Sequence, residues 1–214
     1  MTGNYYALCL VTDRSLARGR AVAEIVAAAV KGGVTMVQLR EKSASTRDFI
    51  DEARALKRLL APLRVPLLIN DRIDVALAAS ADGVHVGQHD MPVALARRLL
   101  GPAAIIGLSI TELGEVSDAD VGLADYLGVG PIFAQSTKLD ATPPLGLDGL
   151  AKVRCATSKP IIAIGGISAA NADAVRLAGA DGIAVVSAIM GAEDPMAATI
   201  ALVSAPNALH RKTG

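Results

Sequence analysis

A chain of 214 residues that is 52% hydrophobic can bury a large core, and with only 2% aromatic residues that core must be aliphatic. Twenty-one basic residues balance 21 acidic ones, so no net field draws the chain to nucleic acid or to an acidic membrane. The scarcity of aromatics also denies single-stranded nucleic acid its stacking platforms. Cys9 and Cys155 lie within or beside apolar runs, so no disulfide framework is expected and a cytoplasmic, reducing setting fits. The start Met1-Thr2-Gly3-Asn4 lacks a basic, apolar leader pattern, and no apolar run reaches the length of a membrane span.

Apolar β-type runs alternate with amphipathic Ala/Leu/Arg segments. In chain order, strands are expected at 7–11, 36–39, 66–69, 83–86, 105–107, 126–129, 160–164 and 182–186. Helices are expected near 16–31, 46–61, 73–79, 92–99, 112–119, 147–156, 169–177 and 194–204. Strands apolar almost throughout are buried on both faces. Eight such units indicate a single α/β domain over residues 1–214, a (β/α)₈ TIM barrel. An open doubly wound sheet competes, but the turn after the first strand reads Val11-Thr12-Asp13-Arg14-Ser15 and not G-x-G-x-x-G. An internal echo supports repetition: Ser80-Ala81-Asp82, Leu123-Ala124-Asp125 and Gly179-Ala180-Asp181 each place a small residue and Asp before a strand. The longest loop, 131–146, is of the kind that serves as a lid or binding loop.

Barrel active sites sit at the C-terminal ends of the strands. The polar residues gather there. Gln38, Arg40 and Lys42 follow the second strand at i, i+2 and i+4, one side of an extended segment. Asn70 and Asp71 end the third, Gln88 and Asp90 follow the fourth, and Ser109 follows the fifth. Thr137 and Lys138 lie in the sixth loop, Gly165-Gly166 after the seventh strand, and Val186-Ser187-Ala188 in a turn after the eighth. Parallel neighbours lie roughly 4.8 Å apart, so Asp71 and Asp90 could share one divalent ion. Each residue has a plainer reading. The bases could be solvated charges, Asp71 or Asp90 could open a helix, and Gly165-Gly166 could be a tight turn. His85 reads as a packed strand residue, and Ser109 belongs to no recognisable catalytic triad. Convergence favours function, because unrelated groups would scatter over both barrel ends.

Two anion subsites can be distinguished. Arg40, Lys42, Asn70, Ser109 and Lys138, with Mg²⁺ at Asp71 and Asp90, suit a diphosphate. Gly165-Gly166 and the 186–188 turn suit a monophosphate held by backbone N–H groups. Two phosphorylated substrates imply group transfer rather than hydrolysis.

These motifs, together with Val11-Thr12-Asp13, Gln38-Leu39-Arg40-Glu41-Lys42, Asn70-Asp71-Arg72, Gly107-Leu108-Ser109 and Gly165-Gly166-Ile167, run through nearly the whole chain. In that order they resemble the thiamine-phosphate synthase family. The resemblance implies a Mg²⁺-dependent transferase that joins a hydroxymethylpyrimidine diphosphate to a thiazole monophosphate, giving thiamine phosphate and pyrophosphate through a carbocation-like species. It implies that Gln38 contacts the pyrimidine side. It places Gln135, Thr137, Gly166, Val186 and Ser187 on the thiazole side, and Arg40, Lys42, Ser109 and Lys138 in the chemistry. Partners would be these small molecules, with assembly into oligomers left open. One departure stands out: the family's Pro-Thr-x-Thr-Lys is here Ala134-Gln135-Ser136-Thr137-Lys138, so Gln135 replaces a threonine on the thiazole side. A related thiazole tautomerase would be expected to carry His just after the fifth-strand serine, where this chain has Ile110-Thr111. A non-catalytic phosphate-binding barrel is the other alternative.

Overall fold

The computed structural model describes residues 5–134 and 143–204. Eight parallel strands close into a barrel in sequence order: β1 (Leu8–Val11), β2 (Met36–Leu39), β3 (Leu67–Asn70), β4 (Gly83–Val86), β5 (Ile105–Ile110), β6 (Tyr126–Val129), β7 (Ile161–Ile164) and β8 (Gly182–Val185), with β8 paired to β1. Around it lie α1 (Val22–Gly32), α2 (Thr46–Leu60), α3 (Ile73–Ala79), α4 (Val93–Leu100), α5 (Ala119–Leu123), α6 (Gly146–Ala156), α7 (Ala172–Leu177), α8 (Ser187–Met190) and α9 (Pro195–Val203). The expected (β/α)₈ barrel is present.

Strand side chains alternate between two cores. Leu10, Val37, Ile69, Val84, Ile106, Leu127 and Ile183 face outward and pack with helix residues such as Val26, Leu56 and Val153. Cys9, Met36, Leu68, Tyr126, Ile162 and Ala184 fill the barrel interior.

Four details differ from the sequence expectation. The first helix starts at Val22, because Arg14–Leu16 forms a separate 3-10 turn and Arg18 and Gly19 turn the chain through positive φ. β5 extends to Ile110, so Ser109 is inside the strand and does not follow it. The segment read as a helix over 112–119 is instead a 3-10 turn, Leu113–Ser117, followed by α5. The expected turn at Ser187 is the first residue of α8, with Val186 before it as N-cap. Gly107 conceals the true length of β5. It reads as a strand end, but its missing Cβ serves packing: a Cβ there would lie 2.2 Å from Tyr126 Cζ and 2.4 Å from His85 Nδ1.

The repeated aspartates have a structural role. Asp82 Oδ2 accepts the Leu67 N–H at 2.8 Å, Asp125 Oδ2 the Ile106 N–H at 2.7 Å, and Asp181 Oδ2 the Ile161 N–H at 2.8 Å. Each ties the base of one strand to the base of the strand before it. Each also pairs with a cation from the helix preceding that strand, namely Lys57 at 2.5 Å, Arg97 at 2.6 Å and Arg154 at 3.0 Å. Thr35 makes the fourth such tie, its Oγ1 accepting the Leu8 N–H at 3.0 Å. The echo in sequence is thus a fourfold stitch at the N-terminal rim, far from the strand ends that carry the polar residues.

A hydrogen bond to a charged acceptor contributes about 1.5–3 kcal/mol, and losing it strands the partner N–H. Asp125→Ala is therefore expected to lower the thermal midpoint by about 4–8 °C. Asp125→Asn, which keeps an acceptor, should lose less. Calorimetry of the two variants checks this, and an unchanged midpoint in Asp125→Ala would show that the stitch carries no stability.

Candidate active site

A cleft of about 200 Å³ opens at the C-terminal end of the barrel. One wall is polar and comes from β2 to β5, with Gln38, Arg40, Asn70, His85 and Ser109. The other is apolar and comes from β7, β8 and β1, with Ile162, Ile164, Val186 and Val11. A second cavity of about 280 Å³ surrounds Gly165, Gly166, Ser168 and Ser187. Ile164, Ala184 and Val186 line both, so the two cavities abut. Gly165 and Gly166 adopt φ of +102° and +66°. A Cβ at either would come within 2.7 Å of Pro131 or Phe133, so only glycine lets the two loops approach this closely.

The carboxylates leave neighbouring strands as their spacing predicts. Asp71 sits in the left-handed region at φ +62°, its N–H donating to the His85 carbonyl at 2.8 Å. Strain of this kind in a non-glycine residue clusters at functional sites. Asp71 is not a helix cap, since Arg72 is the N-cap of α3. Asp90 is not one either: Pro92 is the N-cap of α4, and Asp90 Oδ2 accepts the Gly87 N–H at 2.7 Å. Burial raises the pKa of the Asp90 carboxyl. The Gly87 hydrogen bond opposes this, and the adjoining Asp71 carboxyl raises it further. Lys42 Nζ stands 2.6 Å from Asp71 Oδ2, and Arg40 lines the cleft with Nη1 3.8 Å from Asp13 Oδ2. Two mutually repelling carboxylates with bases alongside fit a divalent cation. Among the described residues no group of three or more His, Cys, Asp or Glu gathers. Among the described residues a cation here would draw its carboxylate ligands from the pair, the kind of site Mg²⁺ completes with water and substrate phosphates.

Beneath the cleft lies a polar column that sequence reasoning did not find. His85 Nδ1 is 2.8 Å from Tyr126 Oη, and its Nε2 is 2.9 Å from Ser109 Oγ. Gln88 Nε2 donates to the Ser109 carbonyl at 2.7 Å. Burial pushes His85 down to about 4, against a smaller opposing pull from the Asp71 charge. The ring is therefore neutral near pH 7 and presents one donor and one acceptor to its two hydroxyl partners. Gly128 joins Gly107 in making room, for a Cβ there would lie 2.6 Å from His85 Cε1. A signal was available in the sequence: Tyr126 is one of three tyrosines in a chain nearly without aromatics, and it opens a strand that carries Gly128 and pairs with the strand that carries Gly107.

The structure thus brings together Gln38, Arg40, Asn70 and Ser109 in one cleft, with Lys42, Asp71 and Asp90 linked at its rim. It places Gly166, Val186 and Ser187 in the adjoining cavity. Gln135, Thr137 and Lys138 lie outside the described residues.

The neutral imidazole has a measurable consequence. Between about pH 6.5 and 4 the unfolded chain binds a proton at His85 that the folded chain refuses, so stability falls as pH drops through that window. From pH 7 to about pH 4.5 this one group should cost roughly 2 kcal/mol. Urea unfolding of wild type and His85→Gln at both pH values checks it. The variant is expected to lose less stability on acidification, and equal losses would show that His85 does not fold as the neutral form.

Comparison with known proteins bears on the same residues. The sequence matches the family described as thiamine monophosphate synthase over residues 8–189. It is 60% identical to a thiamine-phosphate synthase of Albidiferax ferrireducens over 195 residues, covering 91% of this chain and 89% of that one. It is 58% identical to one from Chloroflexus aurantiacus, covering 89% and 88%. Among solved structures, a thiamine phosphate pyrophosphorylase from Pyrococcus furiosus superposes with a TM-score of 0.85 at 40% identity, over 94% of this chain and 96% of that one. A 3-hexulose-6-phosphate synthase superposes with a TM-score of 0.67 at 20% identity over 93% and 99%, a likeness of fold alone. With its cleft, its carboxylate pair and its glycine turn all inside the matched span, the chain belongs to the thiamine monophosphate synthase family.

Proposed function

We propose that this barrel is a thiamine-phosphate synthase that transfers a hydroxymethylpyrimidine group from its diphosphate to a thiazole monophosphate, releasing pyrophosphate. The observation that carries the reading is the pairing of two unlike subsites. A carboxylate pair with Lys42 and Arg40 stands at one side of the cleft, and a glycine turn lines the cavity that adjoins it. Such a site suits one diphosphate and one monophosphate held side by side.

Asp71 and Asp90 would hold Mg²⁺, which supplies charge neutralisation for a departing diphosphate. Arg40, Lys42 and Lys138 add positive charge for the same group, worth most as the leaving charge develops. Gln38 presents a hydrogen-bonding group to the polar edge of the pyrimidine, and Asn70 and Ser109 do so for the diphosphate. The neutral His85 fixes the Ser109 hydroxyl from below. The apolar wall of Val11, Ile164 and Val186 excludes water from a cation-like pyrimidine, so that the thiazole nitrogen captures it. Gly166, Val186 and Ser187, with Gln135 and Thr137 from the sixth loop, serve the thiazole phosphate.

An isomerase reading is disfavoured by the two residues after Ser109: Ile110 is buried outward and Thr111 lines the cleft, so no imidazole stands there. Among the described residues no helix is long and apolar enough to cross a membrane. Cys9 and Cys155 are both free, which accords with a reducing compartment.

The direct assay supplies both substrates with and without Mg²⁺ and measures thiamine phosphate and pyrophosphate. Asp71→Asn and Asp90→Asn are each expected to lower kcat/KM roughly a hundredfold, with partial recovery in excess Mg²⁺. Wild-type turnover of both variants at low Mg²⁺ would refute the metal assignment. Lys138→Ala should lower kcat by about the same factor while leaving the thiazole KM nearly unchanged, because a charge aimed at the leaving group acts chiefly in the transition state. A rise confined to the thiazole KM would move Lys138 to the other substrate.

A further inference from the structure

Two features singled out by sequence take no part in the chemistry above, yet they meet in space. One is Thr12-Asp13 after β1, and the other is Glu41, which stands between Arg40 and Lys42 and does not line the cleft. The Glu41 side chain is only 6% exposed. Its Oε1 accepts three successive backbone N–H groups, from Lys42 at 2.8 Å, Ser43 at 2.9 Å and Ala44 at 3.3 Å, and the Ser43 hydroxyl at 3.1 Å. Its Oε2 accepts from Arg14 Nε at 3.1 Å. Arg14 continues through Nη2 to Glu52 on α2 at 2.7 Å.

The loop after β1 is itself held in place. Asp13 Oδ1 caps the 3-10 turn that carries Arg14, accepting the Ser15 N–H at 2.9 Å and the Ser15 hydroxyl at 2.6 Å. Thr12 Oγ1 accepts the Arg40 N–H at 3.0 Å and donates to the Arg40 carbonyl at 3.4 Å. The backbone of Arg40 is thereby gripped by Thr12, and the backbone of Lys42 by Glu41. Glu41 is turned toward Arg14, away from the side its two neighbours serve. Arg40 lines the cleft and Lys42 reaches Asp71. Burial alone would raise the Glu41 carboxyl, but the hydrogen bonds from Ser43, Arg14 and Lys42 outweigh it and hold the group at about 2. The carboxylate is therefore ionised at any pH at which the protein would work.

Two cations two residues apart repel each other, and a free loop would let them splay. An anion that gathers the intervening N–H groups on the far side prevents this. We propose that Glu41 is a positioning residue for the diphosphate subsite: it shapes the loop after β2 and, through Arg14, locks it to the loop after β1, so that Arg40 and Lys42 meet the diphosphate in a fixed arrangement. The proposal rests on the transferase reading above.

Steady-state kinetics with each substrate varied in turn test it, with thermal melting as a folding control. Glu41→Ala should raise the KM for the pyrimidine diphosphate about tenfold. Glu41→Gln keeps an acceptor for the loop N–H groups but loses the charge facing Arg14, so it should raise that KM about threefold. Arg14→Ala, at an exposed position that tolerates truncation, should match it. In all three the thiazole KM should stay within about twofold, a split that a general loss of folding cannot produce. Unchanged pyrimidine diphosphate KM in Glu41→Ala, or equal movement of both KM values, overturns the positioning role. If Glu41→Ala does not fold, an unchanged value in Arg14→Ala overturns it instead. Failure of the wild type itself to form thiamine phosphate would overturn the transferase reading, an outcome distinct from these.

Discussion

The interior of an eight-stranded barrel is just wide enough for side chains to fill, and that narrow space governs the rest of this molecule. Its lower part is closed by Met36, Leu68 and their neighbours, while Tyr126 and His85 form the floor of the cleft. Two aromatic rings fit there because Gly107 and Gly128 on adjoining strands give up their side-chain volume. The space those glycines release is filled by a hydrogen-bonded column from Tyr126 through His85 to Ser109. Packing and chemistry are thus one constraint. The column forms a rigid floor, and Ser109 is delivered to the cleft at a height set by the strand register. A buried polar network has value only when every member is satisfied. Among the described residues no buried side-chain polar atom is left without a partner.

Electrostatics divides the molecule in a complementary way. At the N-terminal rim, Asp82, Asp125 and Asp181 are each matched by one cation and one strand N–H, so their charge goes into holding strands in register. At the C-terminal rim, Asp71 and Asp90 face each other, and the burden falls on Asp90, whose carboxyl is raised by burial and by its neighbour. The two ends use the same residue type for opposite purposes. A carboxylate fully matched by the protein serves stability. Asp71, although paired with Lys42, still repels Asp90, and that residual repulsion is what a bound cation would relieve.

The barrel is legible in the sequence because each strand is buried on both faces, which makes the apolar run continuous and its length a direct readout. Boundaries are obscured where one residue type has two uses. Gly107 looks like the end of a strand, yet it is an interior position vacated for neighbouring rings, and the expected place of Ser109 shifts with it. The short helix at Ser187 has four residues, too few to show a 3.6-residue period. Asp71 and Asp90 are legible as a pair, since parallel strands of similar length bring their ends together. The partnership of His85 with Ser109 and Tyr126 is not, because it depends on barrel closure and on which side of each strand faces inward across 24 and 41 positions of sequence. Glu41 is hidden differently: flanked by Arg40 and Lys42, it reads as one more surface charge until its carboxylate is seen to collect three consecutive N–H groups.

The asymmetry of the cleft bears on why such a site would transfer rather than hydrolyse. The wall from β2 to β5 offers hydrogen-bonding groups, and the wall from β7, β8 and β1 offers Ile162, Ile164, Val186 and Val11. A reactive cation formed against the polar wall has an apolar surface behind it, and a second substrate occupying that side displaces the water that would otherwise compete. The glycine turn that would anchor the second substrate abuts the same apolar residues, Ile164, Ala184 and Val186. Binding of the nucleophile and exclusion of water are then the same event. Selectivity for transfer would then come from a monophosphate anchor set against the dry wall rather than beside the carboxylates.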